Sequence, residues 1–158
     1  MNEMLRQTLL TYNRELKTLD DLYRNAAKRC GLSECAFWIL YTLRVEEKTF
    51  TQAEICGFLI EPKQTVNSAL KKLEAAGYLT LTAGADQRSK HVQLTEAGER
   101  FARAHIDCVP EAEARALCAL SQADLASFFS IMRQFRALFE RELREGEAAA
   151  NAAERHTI

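Results

Sequence analysis

From Leu5 to Ala27 apolar residues recur every three or four positions (Leu5, Leu9, Tyr12, Leu16, Leu19, Tyr23, Ala27). That spacing lays one apolar stripe along a first α-helix, with Gly31 as its stop. Ser33 then offers an N-cap to "ECAFWILYTLRVEE", a second helix so apolar that most of it must be buried. Thr51 with Glu54 three residues later fits a capping box and starts a third helix that runs through Leu59. Pro62 stands at the start of a fourth helix, where its missing N–H costs nothing, and Gly77 closes that helix. The period then changes: "YLTLTA" and "KHVQLT" alternate in the manner of strands around "GADQRS", which predicts a hairpin, the only convincing one in the chain. Thr95 begins another helix, expected to bend or break at Pro110. Ser121 with Asp124 opens the last, which carries Leu125, Phe128, Met132, Phe135 and Phe139 on one stripe. The Ala-rich tail after Glu145 has no apolar face and is expected to fray.

Helix, short turn, helix, hairpin is the order of a winged helix-turn-helix. The predicted fold class is therefore mainly α with a small β-hairpin wing: a winged lobe flanked by helical arms. In such a unit the second helix enters the DNA major groove. At 100° per residue, Val66, Leu70 and Leu73 share the packed side of that helix. Gln64, Asn67, Ser68 and Lys71 point the other way, with Lys63 and Lys72 on the flanks. Amides pair bidentately with adenine, and Ser and Lys reach phosphates or base edges. A polar outer face alone is what any amphipathic helix shows. The wing adds the second signal. It places Asp86, Arg88 and Lys90 on or beside a Gly-containing tip, where an Arg inserts well into a narrow minor groove. Asp86 is placed to orient that guanidinium through a bidentate ion pair.

Composition changes the picture only by exclusion. At 47% hydrophobic and 27% charged residues in 158, the chain is ordinary globular protein. A formal net charge of −1 gives no global attraction to nucleic acid, so binding must come from local charge. Between Thr51 and His91 five Lys or Arg stand against four acidic residues, and nearly all the basic ones fall on the fourth helix and the wing. The longest uninterrupted apolar run, Cys35 to Tyr41, is too short to span a bilayer, and the first residues lack a signal-peptide apolar region. With five cysteines and no paired spacing, reduced thiols and a cytoplasmic location are the expectation.

The order "FTQAEICGFL…KQTVNSALKKLEAAGYL…DQRSKHVQLTEAG" resembles the multiple-antibiotic-resistance regulator (MarR) family of bacterial transcription factors. By motif the resemblance covers about Gly31 to Gly98. Asp86, Arg88, Leu94 and Thr95 match the family's wing and its exit, and Thr65, Val66, Leu73 and Gly77 match the core of its recognition helix. Ser68 and Lys72 stand where many relatives carry Arg, which favours A·T-rich readout over guanine contacts. The resemblance implies an obligate homodimer with interleaved terminal helices, reading a near-palindromic operator. Helix 62–76 would lie in the major groove and wing 83–91 in the minor groove. Candidate DNA contacts are then Lys63, Gln64, Thr65, Asn67, Ser68, Lys71, Lys72, Arg88 and Lys90, with Asp86 orienting the wing. A small-molecule inducer pocket is also implied where the dimer helices meet the lobe. Trp38 and Tyr41 are its aromatic candidates, although core packing accounts for both.

The domain organisation that follows is an N-terminal dimerisation helix (1–30), the winged lobe (31–98), C-terminal dimerisation helices (99–145) and the tail (146–158). Dimerisation has independent support, since apolar stripes at both ends of so short a chain lack partners within one lobe. Cys30 and Cys35 flank one turn and are a conceivable redox pair, but buried, inert thiols are the commoner case. His105, Asp107 and Cys108 do not share one face, so no metal site and no cofactor are expected. Three distant histidines, no phosphate-binding Gly loop and no complete metal motif argue against an enzyme. The expected function is a dimeric DNA-binding regulator, a repressor released by a small molecule or other signal. The competing reading is a winged-helix protein–protein adaptor without DNA binding.

Overall fold

The structure, a computed structural model, describes residues 2–46, 48–83 and 90–155. It divides into two compact units, residues 1–112 and 113–158. The first holds α1 (Glu3–Arg29), α2 (Glu34–Val45), β1 (Phe50–Thr51), α3 (Gln52–Leu59), α4 (Lys63–Ala75), β2 (Leu79–Ala83), β3 (Lys90–Leu94) and α5 (Glu96–His105). α6 (Cys108–Cys118) starts in this unit, and α7 (Gln122–Arg155) lies in the second.

Local chemistry sets most of the helix boundaries. Asn2, Ser33, Thr51, Thr95 and Ser121 each accept a first-turn backbone N–H, and at Thr51 the Glu54 carboxylate completes the capping box. These bonds satisfy donors that no helix can satisfy internally. Gly31 (φ 68°) and Gly77 (φ 75°) end α1 and α4 in the left-handed region that glycine adopts freely. The chain then turns back on itself, with Leu32 N–H donating to Ala27 and Tyr78 N–H to Leu73.

α2 is the hub of the first unit, touching α1, α3, α4 and α5. Its Phe37, Ile39 and Leu40 are fully buried, together with Ile55, Val66, Leu70, Val92 and Ile106 from the surrounding elements. Burying each such side chain stabilises the fold by roughly 1.5–3 kcal/mol. Arg44 ties the far end of α2 to α5 and the start of α6: it donates to both Asp107 carboxylate oxygens, at 2.9 and 2.6 Å, and to Glu99 at 2.6 Å.

Three observations differ from the sequence reading. The hairpin is part of a three-stranded antiparallel sheet of order β1-β3-β2, with Phe50 opposite Val92 and Leu81 opposite Val92 on the other side. β1 has only two residues, too few to show a period. The helix expected to break at Pro110 ends at His105, and Pro110 falls inside the first turn of α6, where no intrahelical N–H bond is needed. The tail expected to fray continues α7 as helix through Arg155, as its run of alanines, the best helix formers, permits.

Candidate nucleic-acid interface

α4 is held by one face. Val66, Ala69, Leu70 and Leu73 are buried against the lobe, which leaves Lys63, Gln64, Thr65, Ser68, Lys71 and Lys72 exposed. The sequence-predicted outward set is thus presented together on one surface, with one exception. Asn67 is half-buried, and its Oδ1 accepts a hydrogen bond from Gln52 Nε2 at the start of α3. The helical wheel explains why: Asn67 sits at the edge of the outward arc, on the side where α3 packs. With its carbonyl oxygen engaged, Asn67 presents chiefly its NH2 group, which suits acceptors such as guanine N7 and O6 or thymine O4.

The first turn of α4 is unusual in this molecule. Among the described residues, each of the other six helices opens with at least one acidic side chain, whereas α4 has none and its N-cap, Pro62, makes no side-chain cap. The first N–H groups of α4 are therefore open, and the residue beside them is Lys63. A cation at the positive end of a helix dipole is unfavourable for the isolated helix. The same end is a ready anion site.

Lys63 also lines a groove of about 270 Å³ with Thr51, Gln52, Ala53, Cys56, Asn67 and Lys90. Lys90, the first residue of β3 and opposite Ala83, comes to the same concavity from the wing. The fold therefore brings the start of α3, the start of α4 and the base of the wing around one hollow, whose lining has two lysines and no carboxylate. Thr51 and Gln52 were legible in the sequence only as a cap and its neighbour. Glu54, the nearest carboxylate in sequence, is turned to Thr51 backbone and hydroxyl, and those two hydrogen bonds hold its pKa below the ordinary value. Asp86 and Arg88 lie outside the described residues.

The two strands that carry the wing are fixed by their exits. Thr95 Oγ donates to the Gly77 carbonyl at 2.6 Å while accepting from Gly98 N–H, so one hydroxyl joins the end of α4 to the start of α5. Gly98 approaches the Tyr78 carbonyl so closely that a Cβ there would lie 1.8 Å from its oxygen. Sequence reading took Gly98 as the end of a motif and missed this contact.

Residues 32–98 match the family model described as a winged helix DNA-binding domain. The lobe has the winged-helix fold. Over nearly its whole length the chain also shares the fold of solved MarR family regulators. A MarR family regulator from Neisseria meningitidis superposes with a TM-score of 0.74 at 22% identity, covering 92% of this chain and 99% of its own. AbsC, a MarR family transcriptional regulator from Streptomyces coelicolor, gives 0.72 at 15% identity over 89% and 97%. The overoxidised form of AbfR bound to DNA gives 0.60 at 19% identity over 85% and 94%. No curated protein matches by sequence.

Trp38 and Tyr41 lie on α2, partly buried against the core. Trp38 packs against Tyr23 at 4.8 Å and Tyr41 at 5.1 Å between ring centroids, with Phe37 beside both. The cluster joins α1 to α2 at the margin of the core.

Proposed function

We propose that the protein is a homodimeric transcriptional regulator of the MarR type, a repressor that places α4 in the major groove and the 83–91 wing in the minor groove of a near-palindromic site. The observation that carries this reading is the start of α4: an uncapped first turn without acidic residues, continuous with an exposed face of Lys63, Gln64, Ser68, Lys71 and Lys72. That arrangement costs the free helix stability and is offset when a phosphate docks on it. AbfR, a protein of the same fold, has been solved bound to DNA, which supports DNA as the partner. Arg88, with Asp86 beside it in sequence, supplies the minor-groove contact in this reading.

Dimerisation follows from the need to read two half-sites about one helical turn apart, because one lobe buries only ~600–1,000 Å² on DNA. The exposed apolar stripe of α1, including Leu9 at 42% and Leu16 at 48% exposure, is the surface we assign to the partner subunit. Release by a small molecule would act through the aromatic cluster at Trp38 and Tyr41, and Trp38 as the only tryptophan gives that event a fluorescence signal.

The test is binding to the gene's own upstream region, measured by gel shift and by anisotropy across a salt series. Affinity falling steeply and linearly in log–log form with salt supports the reading. Absence of any salt-dependent binding there, and to a random library of duplexes, favours the adaptor instead.

A further inference from the structure

In sequence the nearest neighbour of Cys30 is Cys35, but the fold separates their chemistry. Cys35 is buried in the core, and burial pushes its thiol up to about 11. Cys30, the C-cap residue of α1, donates its S–H to the His105 carbonyl oxygen at 3.3 Å. Cys108, the first residue of α6, donates to that same oxygen at 3.6 Å. Two sulfurs sharing one acceptor are no further apart than the sum of those distances. Both belong to the first compact unit.

We propose that Cys30 and Cys108 form a dithiol site that low-molecular-weight disulfides convert to an intramolecular disulfide. The two thiols differ in the way a two-step exchange requires. Cys108 is exposed and meets the small disulfide first, whereas Cys30 is half-buried, and burial, then the neighbouring Cys108, hold its thiol above the ordinary value. The Cys108 thiolate attacks one sulfur of the small disulfide, forms a mixed disulfide and expels one small thiolate. Cys30 loses its proton to solvent and attacks the Cys108 sulfur, which expels the second. One S–S bond is broken in the reagent and one is made in the protein. The two protons lost by the cysteines balance the two taken up by the released thiolates, and two electrons pass to the reagent. Rotation of each side chain away from the shared carbonyl is the motion required, provided the Cα atoms come within the ~4.4–6.8 Å that a disulfide spans. Because Cys30 precedes and Cys108 follows residues 32–98, the bond encloses the whole winged-helix domain in one covalent loop.

The full-length protein would be incubated with glutathione disulfide, quenched in acid, and its thiols counted after denaturation. The count should fall from five to three, while the chain still runs as a monomer on a non-reducing denaturing gel. Tryptic mapping should join the peptide 30–44 to the peptide 104–115, and the link should persist in Cys35→Ser. Cys30→Ser should accumulate a mixed disulfide on Cys108, and Cys108→Ser should form neither product. Retention of all five thiols, a link through Cys35, or a cross-link between two chains would each overturn the proposal.

Discussion

Gly98 stands in the first turn of α5, where a helix would ordinarily prefer almost any other residue. Its reason is steric: the space a Cβ would occupy belongs to the Tyr78 backbone carbonyl, which cannot rotate away as a side chain could, and which also accepts the Thr95 N–H. Gly98→Ala is expected to cost about 3 kcal/mol in urea denaturation. Gly57, inside α3 with nothing within 4 Å of a Cβ, is the control: Gly57→Ala should stabilise by up to about 1 kcal/mol. Equal effects at the two sites would show that the close approach at Gly98 is not maintained in solution.

Arg44 is the second residue whose role is tertiary. Its hydrogen bonds lower the Asp107 pKa, the direct bond first and the Arg44 charge in support, against the opposing effect of burial. A depressed carboxylate pKa means that the folded state holds the proton less tightly than the unfolded state. The resulting stability is complete well above 3.8, the ordinary value, and is lost as pH falls below it. Arg44→Met should lower stability near neutral pH by about 2 kcal/mol, the scale of charged hydrogen bonds left unmade. Repeating the denaturation at falling pH should show the difference from the native protein shrinking in that acidic window. A constant difference would assign the loss to packing of the arginine stem.

At the scale of elements, α4 and the hairpin divide the work of binding DNA in the proposed function. Lys71 and Lys72 are exposed on α4. In a dimer, Lys71→Ala removes two cations from the interface, so the slope of log affinity against log salt should fall by about two if each meets a phosphate. Gln64→Ala should leave that slope alone and instead relax discrimination at one base pair by ~1–3 kcal/mol. Arg88→Ala tests the wing. Weaker binding with a shallower salt slope and an unchanged melting temperature is the expected result. Unchanged binding would make the wing a bystander.

At the scale of the whole molecule, both terminal segments expose apolar surface. α1 exposes Leu5, Leu9, Leu10, Leu16, Leu19 and Leu22, and only Ala26 and Ala27 of that helix are buried. In the second unit α7 exposes Phe128, Phe129, Met132, Phe135, Phe139 and Leu143, and Phe135 stacks on Phe139 within the same helix. Contiguous patches of this kind mark association surfaces. A dimer whose subunits fold together melts at a temperature that rises with protein concentration, and calorimetry over a hundredfold range checks it. Removing residues 1–20 should give aggregates or a poorly folded chain. A soluble monomer that unfolds cooperatively would sink the dimer.

The sequence by itself determined what depends on neighbours along the chain. Ser33, Thr51 with Glu54, and Thr95 start α2, α3 and α5 because a side-chain oxygen reaches an N–H three residues on, and Gly31 and Gly77 end α1 and α4 through a backbone angle that few other residues adopt. The same locality made the packed face of α4 readable, since Val66, Leu70 and Leu73 repeat at the helical period. Tertiary structure decided whatever joins segments remote in sequence. The two-residue strand Phe50–Thr51 exists because β3 is there to pair with it, not because of any period of its own. Asn67 is claimed by Gln52 from another helix, Gly98 is required by a carbonyl twenty residues earlier, and Cys30 meets Cys108 at the His105 carbonyl instead of its near neighbour Cys35. A hydrogen bond within one turn is fixed by helix geometry alone, whereas contacts across the fold form only after the core around Phe37 and Leu40 has set the positions of the elements that carry them.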